Sequence, residues 1–403
     1  MSATRDSWMF ALTVSTAAAV LVSIAAAETL LAIACVVWLA QRQHPIVWPS
    51  YVLPLCAFMA TTTLALLMSP QPEIGTAVVR KFVLFAMGLL AANFVTTSAR
   101  ARFAHRLLLA VAGVTSGVAI AQFTIAYSHF LSSHNLADDP TVLARPTGFM
   151  GHWMTFSGEL LLVWCAALPA MLILNRRWLI PLGIVGTAVI LSFTRSAWLG
   201  AAAGFVLLAL MIPRKLLLAA ALPVIIVAAA ASGLIYHRIA MSFQQQNFGP
   251  DSGRVELFLG GLRMIRDHPL FGVGPERIHA EFPNYYRGPD PANLNFFYGH
   301  LENNIMQIAA ERGLLCLAAF LWFIIELYAG LVRMLKTASE MRWTVMSALS
   351  ALTGFIVAGF FSFNFGDSEV LLLLLFLVSI PYGMNKTVLV QDSCPPNLVP
   401  TTS

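Results

Sequence analysis

Long apolar stretches separated by short polar segments run along most of the 403-residue chain. Crossing a bilayer takes about 20 apolar residues in a helix. The pattern predicts about twelve membrane-spanning helices, near 8–25, 26–41, 51–68, 77–96, 104–127, 154–174, 178–193, 197–212, 215–235, 303–332, 343–363 and 368–384. It breaks once, between Ile235 and Glu302, where the chain is polar. We therefore predict an all-α, polytopic membrane protein with one large loop outside the membrane.

The predicted units follow from this break. Residues 1–235 hold the first nine spans, 236–302 the loop, 303–385 the last three spans and 386–403 a tail. Within the loop, Asp251 or Ser252 is a suitable helix N-cap, and residues 254–266 carry apolar side chains at helical spacing. His268-Pro269 should end that short helix, and the glycines that follow predict a tight turn.

Composition supports the membrane class. Hydrophobic residues make up 58% of the chain and charged residues 11%, against about 25% charged in soluble domains. The net charge of +5 does not indicate nucleic acid binding, because the positive residues lie in short loops between spans. The five cysteines form no CxxC pair and no metal-ligand spacing, so we expect neither a disulfide framework nor a zinc site.

Lysine and arginine in alternate short loops predict the orientation. They place both termini in the cytoplasm and the loop 236–302 outside, which in a bacterium is the periplasm. The N-terminus also resembles a signal peptide, since Arg5 and an apolar run precede Ala25-Ala26-Ala27. We favour an uncleaved first helix, because retaining it keeps the topology consistent.

A set of positive residues on the predicted outer side is not required by topology. Arginine binds phosphate oxygens in a bidentate manner and keeps its charge, so several converging on one outer cavity would suit a diphosphate. The alternative is interfacial snorkelling towards anionic head groups. The residues are Arg80, Lys81, Arg145, Arg195 and Arg254.

His300, followed by Glu302 and Asn303, lies immediately before the tenth predicted span. A neutral imidazole is a suitable general base near pH 7, and a helix-capping or interfacial histidine is the alternative. The chain has no GxxxxGK[ST] phosphate loop, no GxSxG nucleophile elbow and no acidic metal-binding cluster in the outer loops. A transfer reaction here should therefore use a donor that is already activated.

Three motifs together resemble one family. They are Thr194-Arg195-Ser196-Ala197-Trp198-Leu199-Gly200; Gly253-Arg254 followed by His268-Pro269-Leu270-Phe271-Gly272-Val273-Gly274; and His300-Leu301-Glu302-Asn303 followed by residues 307–314. In this order and topology the chain is similar to the O-antigen ligases, in a superfamily with O-antigen polymerases and protein O-oligosaccharyltransferases. Many members read H-x-H-N at the third motif. Glu302 replaces the second histidine here, so only His300 can carry the histidine role.

The resemblance implies a glycosyltransferase of the bacterial inner membrane that needs no metal or cofactor. Its donor would be O-antigen polysaccharide on undecaprenyl diphosphate, and its acceptor a sugar hydroxyl of the lipid A core oligosaccharide. His300 would be the general base. Arg195 and Arg254, helped by Lys81, Arg80 or Arg145, would bind the diphosphate, and inversion would follow from direct displacement. Tyr298 and Asn303 complete the expected substrate-binding residues.

Other functions stay open from sequence alone. An O-antigen polymerase or a protein O-oligosaccharyltransferase would use the same lipid-linked donor, and acceptor choice depends on cavity shape. A lipid or solute transporter is more remote, because it should show repeat symmetry or broken helices in matching halves. A transporter also gives no reason for a large outer loop rich in arginine and histidine.

Overall fold

The computed structural model describes residues 2–41, 46–133, 141, 145–170, 176–212, 225–226, 228–229, 232–244, 252–288, 294, 297, 299–337 and 341–392. Within these residues the regular secondary structure is helical throughout, which confirms the all-α prediction.

The helices follow one another along the chain with short connections. They are α1 (Ser2–Val20), α2 (Ile24–Gln41), α3 (Val52–Leu67), α4 (Thr76–Arg80), α5 (Ala86–Phe94), α6 (Ser98–Ser133), α7 (Trp153–Ala170), α8 (Leu179–Leu191), α9 (Arg195–Ala209), α10 (Ser232–Gln244), α11 (Ser252–Asp267), α12 (Ile278–Tyr285), α13 (Asn304–Thr337), α14 (Arg342–Gly359) and α15 (Ser368–Asp392). Two 3₁₀ turns, Lys81–Phe85 and Arg176–Trp178, precede α5 and α8.

Every predicted span except the ninth overlaps one of these helices. The ninth, 215–235, lies largely outside the described residues. Among the described residues, five helical stretches are long and apolar enough to cross a membrane: Thr76–Phe94, Ser98–Ser133, Trp153–Ala170, Asn304–Lys336 and Ser368–Asn385. Several shorter apolar helices accompany them, so the count of twelve spans and the division at the predicted unit boundaries stay predictions.

The core of the bundle is built around α7 and α15. Helix α7 packs against α8, α9, α14 and α15, and the leucine run Leu371–Leu375 in α15 is buried on all sides. A helix that is apolar around its whole circumference belongs in the interior of a large protein or a membrane bundle. These two helices therefore form the inner wall on which the loops at their ends are held.

Small residues let α9 approach α14 closely. Gly200 and Gly204 lie one turn apart on α9 and face Gly354 and Ser350 on α14. A Cβ added at Gly200 would come within 2.5 Å of the Gly354 carbonyl oxygen. Such small-xxx-small faces are typical of tightly packed membrane helices, and this one fixes the position of the N-terminus of α9.

The polar segment carries α11 and α12, which form a second, smaller core over the start of α13. Leu257 and Met264 on α11 pack with Phe282 on α12 and with Leu301 and Met306 beside α13. The predicted helix therefore forms, begins at Ser252 and ends just before His268-Pro269, and its buried face lies on the bundle.

Helix α13 is broken near its start by the loop after α11. Gly313 has non-helical dihedrals of φ 82° and ψ 173°. The Ala310 carbonyl, which a continuous helix would pair with the Leu314 N–H, instead accepts the Val273 N–H at 2.9 Å. The Leu314 N–H donates to the Pro269 carbonyl at 2.8 Å. The loop thus replaces the missing helical hydrogen bonds and is fixed to α13.

Candidate active site

A narrow polar cavity of about 40 Å³ lies where the loops before α7, α9, α13 and α15 meet. Both His152 and His300 reach it, together with Ser196 and Asp367. Its remaining walls come from α7, α9 and the segment after α14. The cavity therefore collects side chains from parts of the sequence that are more than 200 residues apart.

A strained turn places Arg195 beside this cavity. Phe193, fully buried, has a left-handed backbone with φ 49°, a conformation that costs a non-glycine residue about 1–3 kcal/mol. The Trp198 indole N–H donates to the carbonyls of Val189 and Ile190, at 3.0 and 3.2 Å, and ties α9 to the end of α8. Arg195 is half-buried at the first position of α9, directly before two cavity-lining residues.

The loop that carries His300 is fixed to the first turn of α13. The Gln307 side-chain oxygen accepts the Leu301 N–H at 2.8 Å. Asn303 caps the helix, since its side-chain oxygen accepts the Met306 N–H at 3.0 Å, the pattern expected of an N-cap residue. The Asn303 amide also donates to the Phe360 carbonyl at 2.9 Å, so both of its polar ends are used within the protein.

His300 is paired with the glutamate that replaces the second histidine of the motif. The Nδ1 atom of His300 lies 3.6 Å from Oε1 of Glu302, too far for a hydrogen bond but close enough for charge interaction. Glu302 has a left-handed backbone with φ 51°. Burial raises the pKa of its carboxyl and the positive charge of Arg254 lowers it, so Arg254 lies within electrostatic reach of the pair.

Burial lowers the pKa of His300 below its ordinary value of 6.5. The negative charge of Glu311 acts in the opposite direction, and His152 lowers the pKa further. His152 itself has a pKa lowered by burial and by the charge of Arg145. The imidazole of His300 is therefore neutral at pH 7 and able to accept a proton.

Lys81 reaches the opposite side of the cavity. Its ammonium donates to the Gly366 carbonyl at 2.9 Å. Burial raises the pKa of the neighbouring Asp367 to about 7, Glu369 adds to the shift and Lys81 reduces it. Lys81 also lowers the pKa of Glu276, which burial and Glu311 raise. A single ammonium thus lies among several carboxyl groups that burial makes reluctant to ionise.

Arg145 lies at the rim. Its guanidinium stands 4.9 Å from the ring centroid of Trp153, and the imidazole of His152 stacks on that indole with 4.1 Å between centroids. Cation–π contact of this kind holds an arginine in place without neutralising it. Arg145 therefore presents a fixed positive charge next to His152.

The structure brings together most of the residues that the sequence singled out. Around the cavity or within charge reach of it lie His300, Arg195, Arg254, Lys81 and Arg145. Arg80, one residue before Lys81, is exposed at the end of α4, and its substrate-binding role stays a prediction. Tyr298 lies outside the described residues. Asn303 serves as a helix cap, and its substrate contact likewise stays a prediction.

Sequence reasoning missed Asp367 and gave His152 little weight. Asp367 stands in a short apolar loop directly before α15, and an acidic residue at the mouth of a span is itself unusual. That signal was available, but the search considered positive charges. His152 lies before α7 and had no motif to mark it. Among the described residues, no group of three or more His, Cys, Asp or Glu side chains is arranged to hold a metal ion.

The helical fold and its apolar spans define a membrane protein. The Wzy_C family model, described as O-Antigen ligase, matches residues 180–321. That match supports membership of the chain in the O-antigen ligase superfamily, and it contains Arg195, Arg254 and His300. A comparison with curated proteins gave no match. The family match indicates an enzyme of lipid-linked glycan transfer, of the O-antigen ligase or polymerase type.

Proposed function

We propose that this protein is an O-antigen ligase of the bacterial inner membrane, with its site facing the periplasm. It transfers the polysaccharide from undecaprenyl diphosphate to a sugar hydroxyl of the lipid A core oligosaccharide. The observation that carries the proposal is the convergence of a neutral histidine and several positive side chains on one cavity. A base and a diphosphate-binding group are the two parts that this reaction needs.

In the proposed step, His300 takes the proton from the acceptor hydroxyl as its oxygen attacks the anomeric carbon. The bond from that carbon to the diphosphate oxygen breaks at the same time, which inverts the configuration. Glu302, 3.6 Å from Nδ1, stabilises the imidazolium that forms and leaves Nε2 to receive the proton. A carboxylate beside a catalytic histidine has this orienting role in other enzymes.

The leaving diphosphate carries the charge that the site must stabilise. Lys81, Arg195 and Arg254 would bind its oxygens, with Arg145 adding a further positive charge at the rim. Preorganised positive groups in a water-poor site stabilise developing charge without reorganisation. No metal ion is needed for this step, because the side chains supply the positive charge.

A transfer assay tests the proposal. Purified protein is incubated with undecaprenyl-diphosphate glycan, lipid A core acceptor and EDTA, alongside the variants His300→Ala and His129→Ala. His129 is an exposed histidine on α6 and serves as the control. We expect product from the wild type and from His129→Ala, and a loss of about 10²–10⁴-fold in rate for His300→Ala, the usual contribution of a general base.

The other outcomes each change the assignment. Growth of the lipid-linked glycan without transfer to the core acceptor would identify a polymerase. Full activity in His300→Ala would keep the ligase and remove its proposed base. Activity that EDTA abolishes and added divalent cation restores would contradict the metal-independent mechanism.

A further inference from the structure

We propose that Glu311 is a positioning residue for His300, and that its buried carboxylate holds the loop carrying the imidazole against α13. This inference rests on the proposed role of His300 as the base. Glu311 lies in α13, two residues before the break at Gly313, and it is 2% exposed. A carboxylate is rarely buried to this extent unless it is paired and hydrogen-bonded.

One oxygen of Glu311 acts on the His300 loop through Gln307. The Gln307 amide donates to Oε2 of Glu311 at 2.6 Å, and its oxygen accepts the Leu301 N–H at 2.8 Å. Gln307 is 3% exposed, so water does not compete for either bond. The amide has only this orientation, because the Leu301 N–H requires an acceptor and the carboxylate requires a donor.

The other oxygen of Glu311 holds the loop that follows α11. Oε1 accepts the Glu276 N–H at 3.0 Å and interacts with the Arg312 guanidinium at 3.3 Å. The Glu311 carbonyl also accepts the Gly274 N–H at 2.9 Å. One residue therefore joins the loop before α12, the loop before α13 and the broken helix. Removing its charge should loosen both loops.

The same carboxylate acts on His300 through its charge. The charged and titratable groups that face His300 are Glu302, Glu311 and His152, and those that face Glu311 include Glu276 and Arg312. Burial lowers the pKa of His300 and the charge of Glu311 counters this. Neutralising Glu311 should therefore lower the pKa of the imidazole and weaken it as a base.

The experiment uses the full-length protein with Glu311→Gln, Glu311→Asp and Gln307→Ala, and Glu326→Gln as the matched control. Glu326 is a carboxylate on the same helix that pairs with Arg333, away from the cavity. The transfer rate is measured with its KM for the donor. In parallel, modification of His300 by diethylpyrocarbonate is followed against pH by mass spectrometry, which reports the protonation of this histidine whether or not glycan is transferred.

We expect Glu311→Gln to lower kcat by about tenfold to a hundredfold, the scale of a misplaced catalytic group, with little change in KM. The midpoint of His300 modification should shift to lower pH. Glu311→Asp should recover part of both, Gln307→Ala should lower kcat, and Glu326→Gln should match the wild type.

A Glu311→Gln protein with the wild-type rate and the wild-type modification midpoint would overturn the inference. Should that variant fail to fold, Gln307→Ala decides, because it cuts the link and leaves the carboxylate in place. An unchanged kcat in Gln307→Ala would then refute the positioning role. If the wild type transfers no glycan, the proposed function fails, and the shift in His300 modification still tests the effect of Glu311 on its own.

Discussion

Two residues with left-handed backbones stand two positions from the two principal candidate residues. Phe193 lies before Arg195 and Glu302 after His300, with φ of 49° and 51°. Strain of about 1–3 kcal/mol per residue persists only where the surroundings fix it. Here Trp198 and Gln307 supply the fixing contacts. The cost is consistent with side chains held in place for a reaction.

These conformations were not predictable from the sequence. Arg195 and His300 could be found because they carry charge or a titratable nitrogen in a recognisable motif. Phe193 and Glu302 are neither glycine nor asparagine, the residues that usually mark a left-handed backbone. Asp367 was missed for another reason, since its approach to Lys81 depends on the packing of α15 and the segment 81–94.

The rate should depend on pH in a way set by His300. Because burial lowers its pKa below 6.5 and the base must be neutral, kcat/KM should be high at neutral pH and fall as pH decreases through that lowered pKa. The measurement is kcat/KM for the donor between pH 5 and pH 8, as an assay range of about 3 units around the histidine pKa. A half-maximal pH above 6.5 would contradict the prediction.

Asp367, whose pKa is about 7, also titrates in this range, so Asp367→Asn is the control. A limb that persists in Asp367→Asn belongs to His300, whereas a limb that disappears belongs to Asp367. His300→Ala should abolish the limb of the wild type along with most of the rate.

At the scale of elements, the helices could be predicted and the break in α13 could not. The run 303–332 is apolar enough to predict one span, and the structure has α13 over Asn304–Thr337. The break at Gly313 exists because the loop 268–275 supplies alternative hydrogen bonds, and that contact joins distant parts of the chain. A glycine within an apolar run was the only local sign, and it does not distinguish a break from close packing.

Gly313→Ala should destabilise the protein strongly. An added Cβ would lie 2.1 Å from the Leu270 carbonyl oxygen, at a φ of 82°, so both the clash and the strained backbone act against it. We expect a loss of roughly 3 kcal/mol or more, seen as a lower midpoint of thermal unfolding in detergent. Gly117→Ala is the matched control, because a Cβ there meets nothing within 4 Å; a similar fall in both variants would contradict this account of Gly313.

At the scale of the whole molecule, charge distribution predicts that the cavity faces away from the cytoplasm. Arg177, exposed before α8, belongs to the predicted inner side, and Asn284, exposed on α12, to the outer side. The bundle has the length and apolar surface for membrane insertion, but its orientation follows only from the charges.

Cysteine labelling in spheroplasts measures this orientation. In a background with the native cysteines replaced, Asn284→Cys should react with a membrane-impermeant thiol reagent in intact spheroplasts. Arg177→Cys should react only after lysis. The reverse pattern would invert the topology and place the cavity in the cytoplasm, where a periplasmic transfer reaction is impossible.

The hydrogen bonds between the loop 268–275 and α13 bear on modularity. Within a bilayer, backbone groups without partners are costly, so α13 depends on a segment that composition alone would assign to a separate outer domain. A chimaera between related enzymes that exchanged only 236–302 would join one protein's loop to another's helix break. The unit that can be exchanged without loss must run past Gly313, and the match to the family model, which ends at residue 321, includes that junction.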